Sequence, residues 1–237
     1  MNPKLQNLLV AIVLSLATPF LQARTVAWNN SPGDLIYQSN GTSYLDAGFS
    51  FEIGAFTFDA GFTAPTLANV GEWRSHWRTF DTAVLNTEWI PGSRFFTSSG
   101  SVQAGGVSSV TGATFTTGER GYLWIYNSTA INSQTEWGLF TSSSWTFPAS
   151  APTDPNDIYW TVNPPSNPPN FVFAANTAVI GGLNDVQASG STGYTEPTTS
   201  YVLQTHLVQV PEPGSCLLVA IAGMIFQLRR RSKVGRR

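Results

Sequence analysis

The chain has 237 residues, 42% of them hydrophobic and 11% charged, a balance that suits a packed domain and excludes a disordered polyelectrolyte. Its net charge of −2 conceals an asymmetry: residues 24–210 hold five arginines (Arg24, Arg74, Arg78, Arg94 and Arg120), no lysine and 13 acidic residues, a net of −8. That excludes nucleic acid and an anionic membrane surface as partners of this region, because both are gripped by clustered positive charge, and the single cysteine, Cys216, excludes a disulfide framework and a cysteine-built zinc site.

In chain order, Lys4 precedes the apolar run Leu8 to Ala17 (LLVAIVLSLA), which ends at Pro19 and turns polar from Gln22. One positive charge, a short apolar segment and a small residue at the break is the layout of a secretory signal peptide. The expected signal is 1–23, with Ala23 its last residue, and it places the following region outside the cytoplasm.

Residues 24–209 read as one exported domain of short apolar runs separated by Gly, Ser, Thr, Asn and Pro, the pattern of strands joined by turns. Phe49, Phe51 and Ile53 alternate, the phase breaks at Gly54-Ala55, and Phe56 and Phe58 resume it, which predicts a bulge at Gly54. Asn69 and Glu72 have the spacing of a helix-capping box. The aromatic residues Trp73, Trp77 and Phe80, with Val84, recur at helical spacing. A helix from about Val70 to Leu85 is therefore expected to cover an edge or an end of the sheets.

Tyr122 to Tyr126 (YLWIY) is apolar on both faces, so a central strand buried between layers is expected, with Trp137-Gly138-Leu139-Phe140 as its neighbour. Further strands are expected over Ser144 to Phe147, Ile158 to Val162, Asn170 to Ala174, Ala178 to Ile180 and Ser200 to Val210. Seven prolines between Pro148 and Pro169 mark a stiff surface excursion around the Ile158 strand. Many strands without alternating helices predict an all-β fold, a β-sandwich or jelly roll with one short covering helix.

The tail, 210–237, has three parts: Pro211, Glu212 and Pro213; the apolar segment 215–228 (SCLLVAIAGMIFQL); and the basic run 229–237, which opens with Arg229, Arg230 and Arg231. As a helix, the 14 residues of the middle part would span about 21 Å, short of a hydrocarbon core near 30 Å. Snorkelling arginines and local thinning cover part of that gap, so a transmembrane helix that anchors weakly is expected, its basic flank kept cytoplasmic. Cys216 lies inside this segment, where a passive apolar role is expected.

Pro-Glu-Pro, a short apolar helix and a terminal arginine cluster resemble the PEP-CTERM sorting signal of Gram-negative bacteria. The resemblance implies an exosortase-type processing enzyme as partner, with Pro211, Glu212 and Pro213 as the recognition motif. It also implies transient membrane anchoring, delivery to the envelope, cell surface or extracellular matrix, and an association with extracellular polysaccharide. LDAGFSFEIGAF (45–56), NVGEWRSHWRTFDTA (69–83), GERGYLWIYNS (118–128) and TEWGLFTSSSWTFP (135–148) resemble a recurring group within the same family. That second resemblance implies a shared fold and carries over no catalytic residue.

Chemistry is sparse in the sequence. The two histidines, His76 and His206, sit beside no metal or triad motif, and the zincin, nucleophile-elbow, phosphate-loop and EF-hand patterns are missing. His76 is expected to be solvated with Glu72 one turn away, and His206 outward or half-buried. No cofactor, metal or catalytic residue is expected. Glu52, Glu72, Glu88, Glu119 and Glu136 are the carboxylates from which a glycosidase pair would have to come. Asp154, Asn156 and Asp157 form an oxygen-rich turn suited to calcium or, more simply, to Asx hydrogen bonds. Of eight tryptophans, Trp28, Trp89, Trp145 and Trp160 lie near turns, and exposure of these four would make a sugar-stacking platform. Three readings remain open: a non-enzymatic surface or matrix protein, a lectin-like carbohydrate-binding module, and a secreted carbohydrate-active enzyme.

Overall fold

Alternating side chains become strands wherever one face can be buried, and the computed structural model shows this in residues 23–31, 34–149, 158–161, 172–174, 177–184, 186–187 and 202–208, the part described below. The strands in chain order are β1 (Arg24–Asn29), β2 (Ile36–Tyr37), β3 (Ser50–Phe56), β4 (Trp77–Thr82), β5 (Trp89–Ile90) and β6 (Phe95–Gln103). They continue with β7 (Val107–Ser108), β8 (Arg120–Tyr126), β9 (Glu136–Thr146), β10 (Ile158–Thr161) and β11 (Val172–Ala174). The last are β12 (Thr177–Ile180), β13 (Gly182–Leu183), β14 (Val186–Gln187), β15 (Leu203–Gln204) and β16 (His206–Leu207). One α-helical turn, α1 (Trp73–His76), follows a 3-10 segment, Leu67–Glu72. The fold is all-β with one short helix, as expected. The signal segment up to residue 22 and the tail from 209 onward lie outside the described residues.

One six-stranded sheet runs β11-β10-β1-β6-β5, with β7 on β6; the other runs β12-β9-β8-β3-β4, with β16 on β9. A smaller sheet joins β14-β13-β15-β2. Strand β1 pairs antiparallel with β6 but parallel with β10, and β10 pairs parallel with β11. The two large sheets share one apolar cluster, to which β1 contributes Val26 and Trp28, β6 contributes Phe96 and Val102, β3 contributes Phe51, Ile53 and Ala55, and β8 contributes Leu123 and Ile125. This is layered packing of the sandwich kind.

The second sheet is buried on its other face too. Phe56, Trp77, Tyr122, Trp124, Trp137 and Leu139 form an outer cluster with Phe62, Val70 and Trp73, so the segment around α1 roofs that face. Strand β8 is therefore covered on both sides, as its continuous apolar sequence requires, and it pairs with β9 from Tyr126↔Trp137 to Arg120↔Thr146. The glycines in these strands make room for rings. A Cβ on Gly121 would lie 2.1 Å from the Trp160 ring, so the tryptophan seats directly on the backbone of β8.

The helix expected over Val70 to Leu85 stops at His76. Trp77-Arg78-Thr79-Phe80-Asp81-Thr82 instead forms β4, paired antiparallel with β3. Aromatic and β-branched residues have strand preference, and pairing with β3 overrides the helical spacing. The expected stripe is divided: Trp73 and Trp77 enter the outer cluster, Phe80 enters the core between the sheets, and Val84 is exposed.

The bulge is found at the expected place but on the partner strand. Ile53 pairs with Asp81 and Gly54 with Thr79, leaving Phe80 as the extra residue. Strand β3 keeps its phase, with Phe51, Ile53 and Ala55 in the core and Phe56 in the outer cluster. Gly54 is still required, because a Cβ there would lie 2.2 Å from the Arg78 carbonyl oxygen.

Candidate functional site

The Phe80 bulge creates two polar sites on opposite faces of one sheet. On the outer face, Glu52 of β3 lies among the aromatic residues and is only 6% exposed. It accepts hydrogen bonds from Trp77 Nε1 at 2.8 Å, Thr79 Oγ1 at 2.7 Å and the Tyr126 hydroxyl. The Arg74 guanidinium, on α1, stands 3.7 Å away. Burial, followed by the neighbouring Glu52, raises the Tyr126 phenol well above its ordinary range, so it remains a donor. This is a carboxylate gathered in by indole, hydroxyl and phenol donors and lidded by one arginine.

On the inner face the bulge turns Phe80 and Asp81 together toward the opposite sheet. Asp81 accepts from Trp28 Nε1 at 2.7 Å and from the Thr82 amide at 2.9 Å. Ser98 Oγ lies 2.8 Å from Asp81 Oδ2 and 3.0 Å from Glu88 Oε1. The single hydroxyl hydrogen serves one of the two carboxyl groups at a time. Burial pushes the Asp81 carboxyl above its ordinary pKa, against the opposing hydrogen bonds from Trp28, Ser98 and Thr82. Ser98 thus bridges the carboxyl groups of Asp81 and Glu88.

A third cluster closes the end of the second sheet. Glu136 of β9 accepts from the Ser39 amide at 2.9 Å, Ser39 Oγ at 2.6 Å and Thr205 Oγ1 at 2.7 Å. Beside it His206 is buried at 2% exposure rather than outward or half-buried, and its Nε2 meets no partner among the described residues. Burial holds the imidazole below its ordinary pKa, although the Leu207 carbonyl and Glu136 pull the other way. His76 also departs from its expectation. It stacks on Phe62 at 4.2 Å with Nδ1 3.1 Å from the Thr57 carbonyl, and its acidic neighbour is Asp59 at 3.8 Å, not Glu72.

The four tryptophans from which an exposed platform would have to come are core residues. Trp28, Trp89, Trp145 and Trp160 are each 1% exposed. Trp28 is tied down by Asp81, Trp89 Nε1 donates to the Asp46 carbonyl at 3.3 Å, and Trp145 stacks on Trp160 with centroids 5.6 Å apart. Nearness to turns does not decide exposure, because all four indoles are buried.

The candidate carboxylates are dispersed. Glu52 and Glu136 are enclosed as above, Glu119 pairs with Arg78, Glu88 accepts from the Val84 amide at 2.8 Å, and Glu72 is exposed. No three His, Cys, Asp or Glu side chains gather as a metal would need among the described residues. Asp154, Asn156 and Asp157, the sorting motif Pro211, Glu212 and Pro213, and the flanking Arg229, Arg230 and Arg231 lie outside the described residues. No family model, curated protein or solved structure matches the chain.

Two residues that sequence reasoning passed over stand out at the surface. Tyr44 is 42% exposed, and the Arg94 guanidinium lies over its ring, 4.5 Å from the centroid. The only sequence signal for them is Pro91-Gly92 before Arg94, which marks a turn without saying what the turn presents.

Proposed function

We propose that this is an exported, non-enzymatic protein of the cell surface or extracellular matrix of a Gram-negative bacterium. In this reading a signal helix (1–23) directs export, a β-sandwich domain (24–209) is the mature part, and a transmembrane helix (215–228) holds the chain until an exosortase-type enzyme acts at Pro211-Glu212-Pro213. The single observation that carries it is the order of the tail: Pro-Glu-Pro, apolar segment, arginine cluster. The interior adds support, because Glu52, Asp81 and Glu136 are occupied by hydrogen bonds from the domain's own side chains.

The candidate acids of the carbohydrate-active alternative serve packing, ion pairing or solvent contact, which supports the non-enzymatic reading. A binding module built on tryptophan loses its ground, because all eight indoles are buried. The reading is tested by replacing Pro211, Glu212 and Pro213 with alanine in the producing organism. The expected result is a protein that keeps its tail and its full mass in the membrane fraction. Unchanged mass and distribution relative to wild type would overturn the role of the motif.

A further inference from the structure

Residues 202–208 are the last described part of the chain, and they lie inside the domain rather than on it. Leu203, Gln204 and Thr205 are each 0% exposed, His206 is 2% exposed and Val208 5%. The segment joins two sheets: β15 pairs parallel with β2 and antiparallel with β13, and after Thr205 alone β16 pairs antiparallel with β9. Backbone bonds fix it along its length. The Val202 amide donates to the Leu35 carbonyl at 2.9 Å, the Thr205 amide to the Tyr37 carbonyl at 3.0 Å, and the Val208 amide to the Thr135 carbonyl at 2.7 Å. The Thr205 hydroxyl adds a bond to Glu136 at 2.7 Å.

His206 stands where the strap passes from one sheet to the other, in a setting built for the neutral ring. Its Nδ1 faces the Leu207 carbonyl, which accepts only from an N–H, so Nδ1 carries the hydrogen and Nε2 a bare lone pair. Nε2 is buried and meets no partner among the described residues. A proton added there makes an interior cation whose new N–H has neither water nor an acceptor. Glu136 of β9 is the charged group that faces the ring, but its oxygens already accept from the Ser39 amide and hydroxyl and from Thr205. On β2 the titratable group is Tyr37, which meets the strap through its carbonyl, and β13 has none. Burial outweighs the opposing pull of the Leu207 carbonyl and Glu136, so the closed strap holds the imidazole uncharged.

We propose that residues 202–208 form an acid-opened clasp: protonation of His206 at Nε2 frees the strap from β2, β13 and β9 while the rest of the domain stays folded. Opening gives the imidazolium the water that the closed strap denies it. It is local because the pairing of β8 with β3 and with β9 does not run through the strap. Released, the seven residues add about 24 Å of extended chain between the domain and the residues after Val208, so acidity sets the reach of one from the other.

The test is hydrogen–deuterium exchange of the full chain in detergent at about pH 7.5 and about pH 5.5, read by mass spectrometry over 202–208 and over β8, with each rate corrected for the intrinsic effect of pH. A solvated imidazole titrates near 6.5, so this step in pH favours the open strap by about tenfold while the closed ring stays neutral. The expected result in wild type is corrected exchange over 202–208 about tenfold faster at the lower pH, with no such rise over β8. His206→Gln has no proton to take up and exchanges there at one corrected rate at both pH values, whatever its stability. His76→Gln, which removes the other of the two histidines, keeps the wild-type response. A wild-type strap with one corrected rate, a rise of equal size over β8, a response that persists in His206→Gln, or one that disappears in His76→Gln would each overturn the clasp.

Discussion

Glu52 shows what a buried acid does in a chain whose folded region has no lysine to pair with it. Its oxygens take donors from Trp77, Thr79 and Tyr126, so it ties β3, β4 and β8 together on the outer face of the sheet. Removing it strands an indole N–H and two hydroxyls in an aromatic setting. Glu52→Ala is expected to lower stability by about 3 kcal/mol, and Glu52→Gln, which retains one acceptor oxygen, by less. Urea unfolding followed by tryptophan fluorescence measures both, and an alanine variant as stable as wild type would contradict the role. None of this partnership was legible in the sequence, because the residues lie 25 to 74 positions apart and the pairing of β3 with β4 and β8 is what brings them together. The tryptophans mark the same limit. Their number announced either a core or a platform, and which of the two depended on indole direction, which no local pattern encodes.

Strands were legible to the extent that their inward positions carried large apolar side chains. Strand β8, with Tyr122, Trp124 and Ile125, was plain, and so was its pairing with Trp137 to Phe140 of β9. Strand β6 was passed over because two of its inward positions are Ser98 and Gly100, the first engaged by Asp81 and the second leaving room for the Phe80 ring, 2.8 Å from where a Cβ would sit. The last strand, β16, has a property that belongs to the element: it pairs with β9 at only two positions, His206↔Trp137 and Leu207↔Glu136. Its histidine is held neutral by burial, with Glu136 the acidic group beside it. A folded-state pKa below the unfolded value of 6.5 means that the unfolded chain takes up the proton first, so this contribution is complete above 6.5 and is lost as pH falls toward the folded value. Asp81 acts in the opposite sense, its raised pKa contributing stability that is lost as pH climbs from 3.8 through the folded value. In thermal melts from pH 7.5 to about 5.5, wild type is therefore expected to lose ground relative to His206→Gln, whose pH dependence keeps only the Asp81 component. Parallel curves for the two proteins would contradict the burial argument.

At the scale of the molecule, two aromatic layers share one sheet, and the buried acids Glu52 and Asp81 turn inward between partners of the domain itself. Fold class could be read from the sequence because strand spacing and proline content are local signals. The packing of one sheet on both faces could be read only from the two-sided apolar character of β8. The free edge of β4 is also managed by distant residues: Ser108 and Thr111 donate their hydroxyls to the Phe80 and Thr79 carbonyls at 2.7 and 2.6 Å, which blunts a strand otherwise open to pairing with another chain. The central claim, export followed by removal of the tail, is tested most directly by mass spectrometry of both termini of the protein recovered from the envelope and medium of the producing cell. The account predicts an N-terminus at Arg24 and a C-terminus between Val210 and Pro213. An intact C-terminus at Arg237 in the surface-exposed protein would contradict it and leave a plain membrane-anchored chain.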